Sequence, residues 1–154
     1  LQAVGDLNRL PTTVRQALDE TIQATQANTG ITVVLAVSYG GREEIVAAVR
    51  ALAQAVQDGR VSPSDVDERL FTQYLWTTNI PDPDLLIRTS GEFRLSNFLL
   101  WQVAYTEIYV TETFWPDFGR EEFLQAIADY QGRERRFGRT AEQQRAAELK
   151  GVVR

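Results

Sequence analysis

Residues 28–50 read NTGITVVLAVSYGGREEIVAAVR, and their pattern is the clearest indication of the fold class. It begins with an apolar, β-branched run, ITVVLAV at residues 31–37, between Gly30 and the pair Gly40-Gly41. Such a run bounded by glycines is typical of a strand buried on both faces, so we predict a central parallel strand. Behind it, apolar residues recur at helical spacing as far as Asp58-Gly59, where the helix should end. The stretch is therefore a strand, a turn and a helix.

The alternation of strands and helices continues on both sides of that unit. Before it, apolar positions within residues 14–25 recur at helical spacing and predict an amphipathic helix. After it we predict four more elements: a helix at 62–75, strands at 85–87 and 107–110, and a helix at 121–130. The predicted class is α/β, with a mainly parallel sheet flanked by helices.

Composition limits the classes of protein that the chain can belong to. Its 154 residues are 44% hydrophobic and 24% charged, which fits one soluble globular domain. A net charge of −5 excludes an overall basic field that would attract nucleic acid. The sequence contains neither an apolar run of roughly 18 residues nor a signal-peptide pattern, so we expect a cytoplasmic protein.

Three residue types are missing from the chain. Without cysteine and histidine, disulfides, thiolate chemistry and the usual zinc sites are excluded. Any metal would be a hard ion with oxygen ligands. Methionine is absent as well and the chain opens with Leu1, so we expect a fragment, a processed chain or a truncated protein.

Residues 84–101, DLLIRTSGEFRLSNFLLW, hold the side chains best suited to chemistry. A predicted strand ends at residue 87, and ligands of open α/β sheets bind at the carboxyl ends of strands. Arg88 and Arg94 can form forked hydrogen bonds to phosphate oxygens. Ser96 adds a hydroxyl, and a helix N-terminus is expected at Asn97. This combination suits a diphosphate.

Plainer interpretations of the same residues stay open. Arg88 could pair with Asp84 or Glu92, and Ser96 could be the N-cap of a short turn. A single glutamate at a strand edge, such as Glu107, is usually a solvated surface residue. From the residues alone, the two interpretations have about equal support.

The longer block at residues 84–118, DLLIRTSGEFRLSNFLLWQVAYTEIYVTETFWPDF, resembles the C-terminal signature of undecaprenyl diphosphate synthases, which are cis-prenyltransferases. Residues 28–50 and the text RERRFG at 133–138 match that family too. The resemblance implies the cis-prenyltransferase fold, with residues 1–138 as the C-terminal portion of a single domain. Residues 139–154 are polar and are expected to form a tail or a frayed helix.

The resemblance also implies roles for individual residues. Arg88, Arg94 and Ser96 would bind the diphosphate of isopentenyl diphosphate, and Glu107 would help to hold Mg²⁺. Arg136 and Gly138 match the family's Arg-x-Gly motif, which helps to complete a substrate site across the interface of a homodimer. From the residues alone, these last two are a basic cluster with a glycine cap at a helix end.

The implied activity is the addition of isopentenyl diphosphate, in cis geometry, to an allylic diphosphate such as farnesyl diphosphate. The expected product is a long polyprenyl diphosphate, undecaprenyl diphosphate, whose release involves a peripheral membrane contact. The family's Asp-Gly-Asn-Gly-Arg motif does not occur in these 154 residues. We therefore expect the catalytic aspartate upstream of Leu1, and the fragment alone to be inactive.

Two alternatives remain at this point. The chain could be a non-catalytic partner subunit of a heteromeric cis-prenyltransferase, although the presence of Arg88, Arg94, Ser96 and Glu107 argues against it. It could also be an unrelated phosphate-binding α/β module, which the length of the matching block disfavours.

Overall fold

The computed structural model describes residues 1–133, which form two compact units. Unit 1 comprises residues 1–81 and 95–101, and unit 2 comprises residues 82–94 and the described residues from 102 onward. Each unit contains one two-stranded parallel sheet accompanied by helices. The predicted α/β class with parallel strands is therefore confirmed.

Unit 1 begins with a strand, a helix and a second strand. Strand β1 (Gln2–Val4) pairs in parallel with β2 (Val34–Ala36), and helix α1 (Thr12–Thr25) connects them. Helix α2 (Gly41–Gln57) follows β2 directly. The buried apolar residues of α2 recur at intervals of four and three, so they lie on one face of the helix. Together with one residue of β1 and one of a later loop, they form the core of the unit: Val4, Ala48, Leu52, Ala55 and Leu75.

The predicted helix at 62–75 is broken into two short pieces. A 3-10 turn covers Pro63–Asp65, and helix α3 is limited to Glu68–Thr72. Asp67 explains the break, because its backbone is extended and its carboxylate accepts a hydrogen bond from Leu70 N at 2.7 Å. An aspartate in this role begins a new helix rather than continuing an existing one.

Unit 2 contains a parallel pair of strands followed by one α-helix. Strand β3 (Leu85–Arg88) pairs in parallel with β4 (Glu107–Val110), so that Leu85 lies opposite Glu107 and Arg88 opposite Val110. Helix α4 (Arg120–Gln131) starts after Gly119, whose N–H donates to the Glu122 carboxylate at 2.9 Å. Both predicted strands and the predicted helix are confirmed to within one residue at most ends.

The prediction of a central strand at residues 31–37, buried on both faces, is wrong. Strand β2 is three residues long and pairs with β1 alone among the described residues. Leu35 is 41% exposed and Ile31 is 95% exposed. The described chain gives this run one neighbouring strand, so much of its apolar surface is uncovered. Within residues 1–133, no helix is both long and apolar enough to cross a membrane.

Candidate functional site

Arg88 is the last residue of β3, and the loop after it is tied to the segment after β4. Ser90 and Gly91 both have left-handed backbones, with φ of 65° and 66°. Ser90 N donates to the Thr113 carbonyl at 3.0 Å, and Gly91 N donates to the Thr111 carbonyl at 2.9 Å. Glycine favours the left-handed φ at Gly91, and a Cβ there would also lie 2.5 Å from the flexible carboxylate end of Glu112. The loop that carries Glu92 and Arg94 is thus held in place.

Glu92 joins the two arginines that the sequence analysis selected. Arg88 Nη2 donates to Glu92 Oε2 at 2.5 Å, while Arg94 Nη2 donates to the other carboxylate oxygen, Oε1. The Arg88 side chain is 30% exposed and the Arg94 side chain 66%. Taken by themselves, the two guanidinium groups and the carboxylate carry one net positive charge. Two guanidinium groups held at one carboxylate have the chemistry that suits an anion.

The pairing of Arg88 with Glu92 is the plainer interpretation left open by the sequence, and the structure shows it. It does not argue against anion binding, because Glu92 occupies one side of each planar guanidinium group and each group carries five N–H donors. A carboxylate that holds two such groups also restricts their rotamers. Restricting them in advance lowers the entropy that a ligand would lose on binding.

Glu107, the expected metal ligand, is held by an arginine. It is the first residue of β4, and its Oε2 accepts from Arg133 Nη1 at 3.1 Å. Arg133 also donates to the Ile108 carbonyl at 2.9 Å and to Asp129 Oδ2 at 2.8 Å. The hydrogen bonds that Arg133 makes raise its pKa above the ordinary value, and the bond to Asp129 contributes more than the bond to Glu107. Glu107 is therefore part of an ion-pair network and not a solvated edge residue.

The described residues do not by themselves fit a magnesium ion. No group of three or more acidic side chains suited to a metal occurs within residues 1–133. Mg²⁺ takes near-octahedral coordination by oxygen atoms, and the positive charge of Arg133 beside Glu107 opposes a second cation. Glu107 can contribute one ligand at most.

Ser96 belongs to unit 1, in the segment 95–101. Ser96, Asn97 and Leu99 have left-handed backbones, with φ of 50°, 63° and 46°. The helix N-terminus expected at Asn97 is therefore wrong, and Ser96 is not a helix N-cap. The reason is long-range: Asn97 bonds to the start of α2 instead of opening a helix of its own.

The structure thus brings together some of the predicted site residues. Arg88 and Arg94 meet through Glu92, and Glu107 lies in the same unit at the start of β4. Arg136 and Gly138 lie outside the described residues. Sequence reasoning missed Arg133 and the role of Asn97. Arg133 follows Asp129 by four residues, just past the end of the predicted helix at 121–130, and this spacing was an available signal for an ion pair. Nothing local pointed to Glu107 as its third member.

An α/β protein with paired arginines at the carboxyl end of a parallel strand is typical of proteins that bind phosphate groups. Comparison with known proteins makes the class specific. The family described as putative undecaprenyl diphosphate synthase, a prenyltransferase family, matches residues 1–138, and the chain belongs to it. An isoprenyl transferase of Heliobacterium mobile is 56% identical over 138 residues, which are 90% of this chain and 53% of that protein.

Solved structures agree with this assignment. A lavandulyl diphosphate synthase from Lavandula x intermedia, solved in complex with dimethylallyl diphosphate, has a TM-score of 0.86 and 48% identity. A probable undecaprenyl diphosphate synthase from Campylobacter jejuni has a TM-score of 0.75 and 39% identity. Both alignments cover 89% of this chain, and 59% and 62% of those structures. The fold is that of the cis-prenyltransferases, and the chain spans about half the length of the curated relatives it matches.

Proposed function

We propose that the chain carries the isopentenyl diphosphate site of a cis-prenyltransferase. The complete protein would add isopentenyl diphosphate, in cis geometry, to an allylic diphosphate such as farnesyl diphosphate. The observation that carries this proposal is the pair Arg88 and Arg94, joined by Glu92 at the carboxyl end of β3. Family membership supports it, as does a structural relative that holds dimethylallyl diphosphate.

The charge and shape of the pair favour a diphosphate over a single carboxylate. Each guanidinium group can donate two parallel hydrogen bonds to one phosphate group, so two of them match the two phosphates of a diphosphate. The family resemblance, and not the placement of the two units, is the reason to propose a further hydroxyl donor at Ser96. Glu92 would keep the guanidinium planes oriented while the ligand is bound.

In the proposed reaction the protein mainly positions and neutralises its substrates. The C–O bond of the allylic diphosphate breaks and diphosphate leaves, which gives the allylic carbon positive character. The double bond of isopentenyl diphosphate attacks that carbon, a C–C bond forms, and a proton is lost from the isopentenyl unit. Holding the isopentenyl diphosphate in a fixed orientation converts an encounter between two molecules into a step within one complex.

We also propose a dependence on Mg²⁺, with Glu107 as one oxygen ligand. The remaining ligands would be substrate oxygens or protein groups outside residues 1–133, because the described residues offer no complete set. Such an ion would neutralise charge on the diphosphates.

Further parts of the proposal concern the protein as a whole. It would be a cytoplasmic homodimer in which residues 1–138 belong to a single domain; the tail expected at 139–154 lies outside the described residues. Arg136 and Gly138 would complete a substrate site across the dimer interface. The product would be undecaprenyl diphosphate, released with a peripheral membrane contact.

The proposal is tested by the incorporation of labelled isopentenyl diphosphate into extractable polyprenyl product. The complete protein, as its reading frame encodes it, is assayed with Mg²⁺ and farnesyl diphosphate beside the purified 154-residue chain. We expect incorporation by the complete protein and none by the 154 residues, which lack the Asp-Gly-Asn-Gly-Arg motif. No incorporation by the complete protein would refute the function. Equal turnover by the 154-residue chain would place the catalytic carboxylate within it.

A further inference from the structure

The segment around Ser96 is attached to helix α2 by one residue, Asn97. The N–H groups of the first turn of a helix have no partners within the helix and must find them elsewhere. At α2 the N-cap residue is Gly40, which has no side chain to supply one. Asn97 does so from a distance of 55 residues: its Oδ1 accepts from Arg42 N at 2.9 Å. Its backbone carbonyl accepts from Gly41 N at 2.7 Å.

The side chain of Asn97 makes a third bond to the same helix. Its Nδ2 donates to Glu43 Oε2 at 2.9 Å. This hydrogen bond is the main reason that the pKa of Glu43 lies below its ordinary value. Asn97 therefore uses its carbonyl, its amide oxygen and its amide nitrogen on three successive residues of α2.

Close packing accompanies these bonds. A Cβ at Gly41 would lie 2.8 Å from Leu100 Cγ and 3.0 Å from Leu100 N, so the segment approaches α2 as closely as a glycine permits. The Phe98 ring meets the Tyr39 ring edge-on, with centroids 5.8 Å apart. Polar and apolar contacts together hold the segment against the start of α2.

The backbone of the segment needs such a hold. Three of the four residues 96–99 are left-handed without being glycine. Residues of this kind keep such a conformation only where their surroundings fix it, and they cluster at functional sites. Losing the bonds of Asn97 would remove contacts that oppose a return of residues 96–99 to more populated conformations, and we expect the Ser96 hydroxyl to shift as a result.

We propose that Asn97 is a positioning residue for the isopentenyl diphosphate site: by capping α2 it fixes the left-handed segment and so sets where the Ser96 hydroxyl lies. The inference rests on the proposed role of Ser96 as a diphosphate ligand. Asn97 itself touches helix α2 and is not assigned a contact with the substrate.

The first test compares Asn97→Gly with Ser96→Ala and with the double variant in the complete protein. Glycine accepts φ of 63° without strain, so Asn97→Gly removes the side-chain bonds and leaves the backbone conformation accessible. We expect it to raise KM for isopentenyl diphosphate about tenfold, the usual effect of one lost hydrogen bond, with kcat and the allylic KM nearly unchanged. In the Ser96→Ala background the same change should add almost nothing, because Asn97 acts through Ser96.

A second variant pair separates positioning from general stability. Asn97→Asp keeps the acceptor for Arg42 N, and hence the cap, but sets a carboxylate against Glu43, so it also serves if Asn97→Gly fails to fold. We expect Asn97→Asp to raise the same KM. Adding Glu43→Gln supplies an amide that donates back to the new carboxylate, and the double variant should recover KM to within about threefold of the parent.

The outcomes distinguish the two proposals. If Ser96→Ala raises KM for isopentenyl diphosphate and the Asn97 variants do not, the positioning role is wrong while the proposed function stands. Equal, additive effects of Asn97→Gly in both backgrounds would also overturn it. If Ser96→Ala leaves KM unchanged, Ser96 is not a ligand and the inference falls with that part of the proposed function.

Discussion

Arg133 Nη1 lies 3.1 Å from Glu107 Oε2, and this ion pair joins the residues just after α4 to the first residue of β4. Both side chains are 30% exposed. Glu107 is thereby kept near one position, and its charge is partly neutralised before any metal arrives. A metal ion that binds Glu107 must share the carboxylate with Arg133 or displace Arg133 from it. The ion pair therefore competes with metal binding at Glu107.

The same network predicts a pH dependence of stability. The hydrogen bond from Arg133 holds the pKa of Asp129 below its ordinary value. A carboxyl group with a lowered pKa in the folded state contributes stability above its unfolded pKa, about 3.9, and loses it as the pH falls below that value. Asp129→Asn should therefore lower the free energy of unfolding at pH 7, and the difference from the parent should shrink toward pH 2.

Urea unfolding of the complete protein at several pH values measures this difference. Asp19→Asn is the matched control, because Asp19 meets Arg15 at 4.0 Å on the exposed face of α1 and should contribute little. If the difference in unfolding free energy between Asp129→Asn and the parent stays constant from pH 7 to pH 2, the pKa of Asp129 is not lowered by Arg133.

Any side chain at Gly41 is expected to destabilise unit 1. An alanine Cβ there would meet the backbone N of Leu100 at 3.0 Å, and a backbone atom cannot move aside as a flexible side chain can. Gly41→Ala should lower the free energy of unfolding by about 1 to 3 kcal/mol. At Gly30 a Cβ would meet nothing within 4 Å, so Gly30→Ala should be neutral or slightly stabilising. If Gly41→Ala and Gly30→Ala change the free energy of unfolding in urea equally, Gly41 does not lie as close to Leu100 as described.

A buried carboxylate supplies another prediction for unit 1. Glu44 is 1% exposed, and its oxygens accept from Tyr39 Oη at 2.5 Å and from Thr77 N at 3.2 Å. Tyr39→Phe removes the hydroxyl donor from a buried charged group and should cost about 1 to 3 kcal/mol of unfolding free energy. Tyr105→Phe, at a side chain that is 69% exposed, should change it by less than about 0.5 kcal/mol. Chemical denaturation of both variants measures the two changes. If Tyr39→Phe lowers the free energy of unfolding no more than Tyr105→Phe does, the hydrogen bond from Tyr39 to Glu44 contributes no stability.

The parts of this fold that sequence could predict are those set by local patterns. The apolar runs at β3 and β4 and the helical spacing of α2 and α4 depend on neighbours along the chain, and the structure has each of them. Strand β1 was missed because three residues, Gln2–Val4, are too few to show a period. The burial of β2 was overestimated because it depends on which strands lie beside it, not on its own composition.

In the candidate site, too, the sequence could predict the short-range contacts but not the long-range ones. The pairing of Arg88 with Glu92 spans only four residues and was one of the interpretations that the sequence left open. The pairing of Glu107 with Arg133 spans 26 residues, and the cap that Asn97 gives to α2 spans 55. Locally, Ser96 and Asn97 look like the start of a helix, and only the distant contact explains why their backbones are left-handed instead.

The oligomeric state is a further prediction. In unit 2, the large apolar side chains of Phe114 and Trp115 are 64% and 73% exposed. Exposed aromatic surface of this size is typical of protein–protein interfaces. We expect the complete protein to sediment as a dimer at micromolar concentration. A fully active monomer in the same experiment would refute the proposed homodimer.

Steady-state kinetics of the complete protein, with each substrate varied in turn, tests whether Arg88 and Arg94 bind isopentenyl diphosphate. Each lost charge-assisted contact should cost about 1.5 to 3 kcal/mol, or roughly 10- to 150-fold in KM. We predict such an increase for isopentenyl diphosphate in Arg88→Ala and in Arg94→Ala, with a much smaller change for the allylic diphosphate. The control Arg60→Ala, at an exposed residue paired with Asp58, should leave both values unchanged. Parental KM values for isopentenyl diphosphate in both arginine variants would contradict the claim.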